Sequence, residues 1–252
     1  MIRVTELVKR YDQTEALRGI SFSVAPGQIC GYLGPNGAGK STTVQILTGV
    51  LKPTSGQAEC AGFDVVAQPL EVKRRIGYVP ENAAVFSTLT VQEHLNFIGA
   101  LHHMPAPVLR ERCGWLLELF GIASLGGRRL DTLSKGQRQR VILSAAFLPD
   151  PEVLILDEPM TGLDAHGALS LKEAVASLAR KGRTVLYCSH ILEVVERLCD
   201  RLVIIDQGQI VADGNTQDLL SGSGSSLEAL FRQLTGSTEA TPLLEALIDD
   251  DR

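Results

Sequence analysis

The chain has 252 residues, is 44% hydrophobic and 21% charged, and carries a net charge of −5. That length buries a full core as one large α/β domain, and the composition excludes a disordered protein. The acidic balance argues against broad nucleic-acid binding, so no nucleic-acid partner is expected, and the longest apolar stretches, such as 141–148, fall far short of the roughly 20 residues that span a bilayer.

The start, MIRVTELVKRYD, is charged within a few residues and has no apolar h-region, so no signal peptide is expected. Residues 2–24 read as strands split by the polar turn Asp12-Gln13-Thr14-Glu15, the second being 20–24. Pro26-Gly27 is a turn. Ile29 to Leu33 is a short apolar run, readable as a buried strand, and 42–47 continues at helical spacing. Between them lies GPNGAGKST, residues Gly34, Pro35, Asn36, Gly37, Ala38, Gly39, Lys40, Ser41 and Thr42. It fits G-x-x-x-x-G-K-[ST] in the strand–loop–helix context that this phosphate cradle requires. Glycines let successive backbone N–H groups turn onto an anion, and the helix that follows points its positive end at the phosphates. Lys40 is placed to reach the β and γ oxygens, and Ser41 to set a hydroxyl on Mg²⁺.

Residues 54–63 read as a turn and short strand, and 75–80 as a strand stopped by Pro80. From residue 88 the character turns helical. Thr90 and Glu93 form a capping box ahead of Val91, Leu95 and Ile98. A second helix runs over 109–120 to Gly121, and a third follows Ser134, with Val141, Ala145 and Leu148 on one stripe. Three helices between strands make 84–150 an inserted helical subdomain. The sheet resumes at the continuous apolar run 153–156, the pattern of a strand covered on both faces. A helix (169–180), a strand (184–188), a helix (192–199) and a strand (202–205) follow, and this alternation implies a parallel sheet. Residues 222–226, GSGSS, read as a flexible break, followed by a short helix (227–234) and an acidic tail at 249–251. The domain reading is therefore 1–220 as one phosphate-binding α/β domain and 221–252 as a C-terminal extension. Five cysteines, an odd number with no C-x-x-C pair, imply buried reduced thiols in a cytosolic protein.

A phosphate loop alone does not choose between a kinase, a G protein and an ATPase. VLILDEP, residues 153–159, adds a buried strand that delivers two carboxylates to its C-terminal edge, where ligands of open α/β sheets bind. Asp157 is placed to hold Mg²⁺ with Ser41, and Glu158 to accept a proton from an attacking water.

Together with Leu133-Ser134-Lys135-Gly136-Gln137, about 20 residues before the DE strand, these motifs resemble the nucleotide-binding subunit of an ATP-binding cassette (ABC) transporter, exporter type. The resemblance covers residues 1 to about 234. It implies a P-loop NTPase fold, with a mostly parallel sheet, an N-terminal antiparallel β-subdomain and an inserted helical subdomain. It implies ATP and Mg²⁺ as ligands and a head-to-tail homodimer. Each ATP then lies between the phosphate loop of one copy and Ser134, Gly136 and Gln137 of the other. Lys135 stands where the signature's first glycine belongs. Tyr11 matches the aromatic that stacks on adenine, and His190 the switch histidine at the γ-phosphate. Asp164 matches the loop linking the two active sites. Glu81 stands where most members carry glutamine, and still offers an oxygen to metal or water. The family docks on a separate integral membrane subunit near Glu81 and residues 82–100, which implies a peripheral place on the cytoplasmic face of the cell membrane. SLEALFRQLTG, 226–236, resembles the ending of exporter subunits and favours export over import. One cassette without heptads argues against a soluble relative acting on ribosomes or DNA. The identity of the transported substrate is set in the membrane subunit and is not written here.

Overall fold

The computed structural model describes residues 1–223 and 226–236 of the chain; the acidic tail lies outside them. Strands β1 (Ile2–Tyr11), β2 (Thr14–Val24), β4 (Ser55–Cys60) and β5 (Phe63–Asp64) form an antiparallel sheet in the order β2-β1-β4-β5. A second sheet contains β3 (Ile29–Leu33), β6 (Ile76–Val79), β7 (Val153–Asp157), β8 (Thr184–Cys188), β9 (Arg201–Asp206) and β10 (Gln209–Asn215). Its order is β10-β9-β3-β8-β7-β6, parallel throughout except for β10.

The continuous apolar runs have a physical reason: both faces of the parallel sheet are covered. On β7, Leu154 and Leu156 join one core, and Val153 and Ile155 the other. On β8, Val185 and Tyr187 face the first, Leu186 and Cys188 the second. The second core is closed by the antiparallel sheet, through Ile2, Val4, Leu7 and Ile20, and by α1 (Lys40–Leu47), through Val44, Ile46 and Leu47. The first is closed by helices α3 (Val91–Leu101), α4 (Ala106–Leu119), α5 (Lys135–Phe147) and α6 (Ala165–Arg180). Helices α3 to α5 all fall in the crossover from β6 to β7, two strands paired directly. The insertion is thus a connection that packs as a layer on one sheet face.

The Thr90 capping box is present: Thr90 Oγ1 accepts from the Glu93 amide at 3.2 Å, and Glu93 Oε2 accepts from the Thr90 amide at 2.8 Å. All five cysteines are buried free thiols. Several elements differ from the sequence reading. The first turn narrows to Asp12-Gln13, so β2 is longer than expected. Helix α2 (Pro69–Arg75) was not foreseen; it buries only Val72 and offers no apolar stripe. Helix α6 starts four residues early because Asp164 caps it, its Oδ1 accepting from the Gly167 amide at 2.8 Å. Helix α7 (Leu192–Leu198) and strand β9 fall where expected. Residues 216–223 form helix α8, which overlaps the expected flexible break, and α9 spans Leu227–Thr235.

Candidate nucleotide-binding site

Four parallel strands that are neighbours in the sheet, β3, β8, β7 and β6, end on the same edge. Each delivers one piece of chemistry there. The glycine loop follows β3, Ser189-His190 follows β8, Asp157-Glu158 closes β7, and Glu81 stands two residues beyond β6. All of them line one cavity of about 1120 Å³, with Gly34 to Gly37 and Gly39 to Thr42 along one wall.

The loop is shaped by its own backbone. Gly39 caps α1 at φ 109°, where a side chain's Cβ would lie 2.7 Å from the Ala16 carbonyl oxygen. Only glycine fits such a position. Thr43 anchors the first helical turn from below, its Oγ1 bonded to the Gly39 carbonyl and to the Tyr32 hydroxyl, both at 3.0 Å. Lys40 Nζ folds back onto the loop, donating to the Gly34 and Pro35 carbonyl oxygens. The cation therefore lies over the loop's own carbonyls at the start of α1, the helix end that favours anions. Ala38 is buried beneath the loop and does not line the cavity.

Asp157 is 7% exposed. Burial first, then the carboxylates of Glu81 and Glu158, push its carboxyl up to about 6, against a smaller opposing pull from Lys40. A buried acid facing two more acids beside a phosphate cradle is a place where a hard cation relieves repulsion. Among the described residues no three His, Cys, Asp or Glu side chains are close enough to hold a metal by themselves. The donor set fits a cation completed by the Ser41 hydroxyl and by phosphate oxygens.

Glu158 holds a left-handed backbone at φ 48°. Its amide donates to the Cys188 carbonyl at 2.9 Å. Its Oε2 lies 2.8 Å from His190 Nδ1 and accepts from Ser189 Oγ at 3.3 Å. Ser189 is not legible as a site residue in the sequence; only the fold brings its hydroxyl to the acid.

The remaining expected residues lie elsewhere. Ser134 caps α5: its Oγ accepts from the Gln137 amide at 3.2 Å, and Gln137 Oε1 accepts from the Ser134 amide at 3.0 Å. Ser134, Gly136 and Gln137 do not line the cavity, and Ser134 is exposed. Lys135 opens α5 without a positive φ, the backbone condition under which a lysine is tolerated there. Tyr11 is 43% exposed at the end of β1, with Lys9 Nζ 5.0 Å from its ring centre. It lies outside the cavity lining, where Ala16 takes part instead. His94 lies on α3 and is buried.

Known proteins agree with this architecture. The family described as ABC transporter matches residues 17–161. The chain belongs to the ABC transporter family. This ABC cassette is 38% identical to the daunorubicin resistance ATP-binding protein DrrA3 of Streptomyces coeruleorubidus, over 100% of this chain and 81% of that protein. It is also 38% identical to the linearmycin resistance ATP-binding protein LnrL of Bacillus subtilis, over 89% of this chain and 72% of that one. A solved structure described as the ATP binding subunit of an ABC transporter superposes with a TM-score of 0.89 at 31% identity, covering 93% of the cassette and 99% of that chain.

Proposed function

We propose that this chain is the ATP-hydrolysing motor of an exporter, working as a head-to-tail pair docked on a separate integral membrane subunit. The observation that carries this reading is a division of labour. The phosphate loop, His190 and the carboxylates share one cavity, while the capped N-terminus of α5 stays outside it and exposed. A helix N-terminus carrying a serine hydroxyl is an anion site, and here it has no phosphate of its own to serve. A second copy, turned head to tail, brings it to the nucleotide and supplies the charge stabilisation that other nucleotidases take from an arginine finger.

In each site the Gly34–Ser41 loop holds the phosphates, with Lys40 exchanging its carbonyl partners for phosphate oxygens. Ser41, Asp157 and Glu81 would hold Mg²⁺, which when bound screens the phosphate charge. Glu158 accepts the proton of the attacking water, and Ser189 and His190 fix its carboxylate. Among the described residues no helix is long and apolar enough to cross a bilayer. One surface feature supports the membrane partner. A cleft of about 230 Å³ between the end of β6, α3 and α5 is lined by Pro80, Ala83, Val85, Ile98, Ile142 and Pro149, and the exposed rings of Phe86 and Phe97 pack edge to face at 5.3 Å. Relatives named for resistance to daunorubicin and linearmycin favour export as the direction. The domain division follows: 1–220 as the ATPase, with 84–150 as the lever, and 221–252 as an extension.

The test is Glu158→Gln. It keeps the shape of the side chain and removes the base. The expected result is a turnover loss of roughly 10²–10⁴-fold and a stable dimer on ATP by size-exclusion chromatography. Full turnover in this variant, or wild-type turnover independent of protein concentration, would overturn the reading.

A further inference from the structure

We infer that, within each chain, the signature helix α5 and the loop 159–164 form one rigid strut, so that nucleotide captured by Ser134 in the dimer fixes the position of Glu158 in the same chain. This rests on the head-to-tail reading above. It adds a positioning role for Arg140 and Gln139, and a reason for Gly136.

Three contacts make the strut. Arg140, on α5, has a side chain only 13% exposed and pairs with Asp164, the residue that caps α6. The same guanidinium donates to the Phe120 carbonyl at 3.0 Å, at the end of α4. One residue earlier, Gln139 Nε2 donates to the Pro159 carbonyl at 2.9 Å, next to Glu158 in the chain. At the head of the helix a Cβ on Gly136 would lie 2.3 Å from the Gly162 carbonyl oxygen. Gly136 is therefore a glycine because the loop of its own chain passes over it.

The loop itself is stiff. The Thr161 amide donates to the Glu158 carbonyl at 3.2 Å, and the Leu163 amide to the Met160 carbonyl at 3.0 Å. From Glu158 to Asp164 the backbone is two linked turns pinned to α5 at Pro159, Gly162 and Asp164. Movement of the α5 N-terminus thus cannot be absorbed in the loop and reaches Glu158. Neither Arg140 nor Gln139 lines the phosphate cavity. They act through Glu158, not on the nucleotide.

The experiment compares wild type with Arg140→Met, Asp164→Ala, the double variant and Gln139→Ala. Nucleotide affinity is read at dilution with a fluorescent ATP analogue. The rate and Hill coefficient for ATP turnover are read at high protein concentration, and thermal melting reports folding. The expected result for Arg140→Met is unchanged nucleotide affinity, a kcat lower by roughly tenfold, the size of coupling found between contacting residues, and a Hill coefficient falling towards 1. Arg140→Lys keeps one bond and lies between. The double variant is no worse than the worse single one. Gln139→Ala, which removes one partly buried bond, shows the same direction if Arg140→Met fails to fold. A cooperative wild type whose kcat and Hill coefficient survive Arg140→Met or Gln139→Ala would overturn the strut and leave the dimer standing. A non-cooperative wild type, indifferent to protein concentration, would overturn the dimer and the strut with it.

Discussion

Replacing Asp157 by asparagine separates stability from function in the nucleotide-free protein. In the fold the Asp157 carboxyl is raised from its ordinary 3.8 to about 6, by burial first and by Glu81 and Glu158 after it. A raised acid pKa means that the folded state resists the charge. Below about pH 4 the group is protonated in both folded and unfolded chains and carries no penalty. As pH rises through 4 to 6 the unfolded chain releases its proton and the folded one does not, so stability is lost; above 6 the penalty is complete. A rise of about two pH units corresponds to about 3 kcal/mol at the ceiling, and relaxation around the site brings this to about 1–2 kcal/mol. Asparagine keeps the shape and removes the penalty. At pH 7.5 Asp157→Asn should melt higher by about 2–8 °C, using about 2–4 °C per kcal/mol for a chain of this size. At pH 4 the gain should fall to a small fraction of this. Turnover of ATP should be lost at both. Melting curves by circular dichroism without nucleotide or Mg²⁺ decide it. A variant that melts at or below wild type at pH 7.5, or whose gain is the same at pH 4, refutes the electrostatic account of this site.

Two further outcomes follow from the loop and helix geometry. Lys40→Ala removes the cation that the Gly34 and Pro35 carbonyls share, and should abolish nucleotide binding measured by calorimetry; retained micromolar affinity would contradict the cradle. Gly136→Ala should lower stability by about 1–3 kcal/mol through overpacking against Gly162, whereas Gly114→Ala, on α4 with open space around it, should raise it by about 0.5–1 kcal/mol. Equal effects in thermal melting would dismiss the close approach.

What could be read without coordinates was what local chemistry enforces. The run Val153–Leu156 had to be a strand covered twice, and both faces are indeed filled. The Thr90–Glu93 capping box followed from side chains three residues apart, and the loop–helix junction at Gly39 from its glycines. Elements without a strong period escaped. β10, QIVADGN, is an edge strand with alternating exposure and interior Asp and Gly, joined to β9 through Gln207 and Gly208 at φ 45° and 79°. That is a hairpin turn written with Gln-Gly, a weaker signal than Asn-Gly. The contacts from α5 to loop 159–164 escaped for another reason. They join residues about 20 apart across two elements, and nothing in either segment alone indicates which faces meet. Ser189 was illegible in the same way, because its bond to Glu158 exists only once β7 and β8 pair.

The backbone at Glu158 bears on the proposed dependence of turnover on a second chain. A non-glycine residue at φ 48° costs of order 1 kcal/mol or more, and it persists because the Cys188 carbonyl, Ser189 and His190 all hold it. Of those holds, the first is a backbone bond and Ser189 is buried, whereas the His190 side chain is 77% exposed. His190 is therefore the contact most readily given up when an anion enters the cavity it borders. Until then His190 and Ser189 together fix the carboxylate; opening the His190 contact frees its oxygen to meet water while Ser189 still holds it. It also leaves Glu158 held by fewer groups in a strained conformation, at the moment when its position matters most. The support lost on the His190 side is made up through loop 159–164, which α5 grips and which the second chain's nucleotide presses from Ser134. A base that loosens on its own side when fuel binds, and tightens only when fuel in the other site seats the signature helix, ties the hydrolytic step to closure of both.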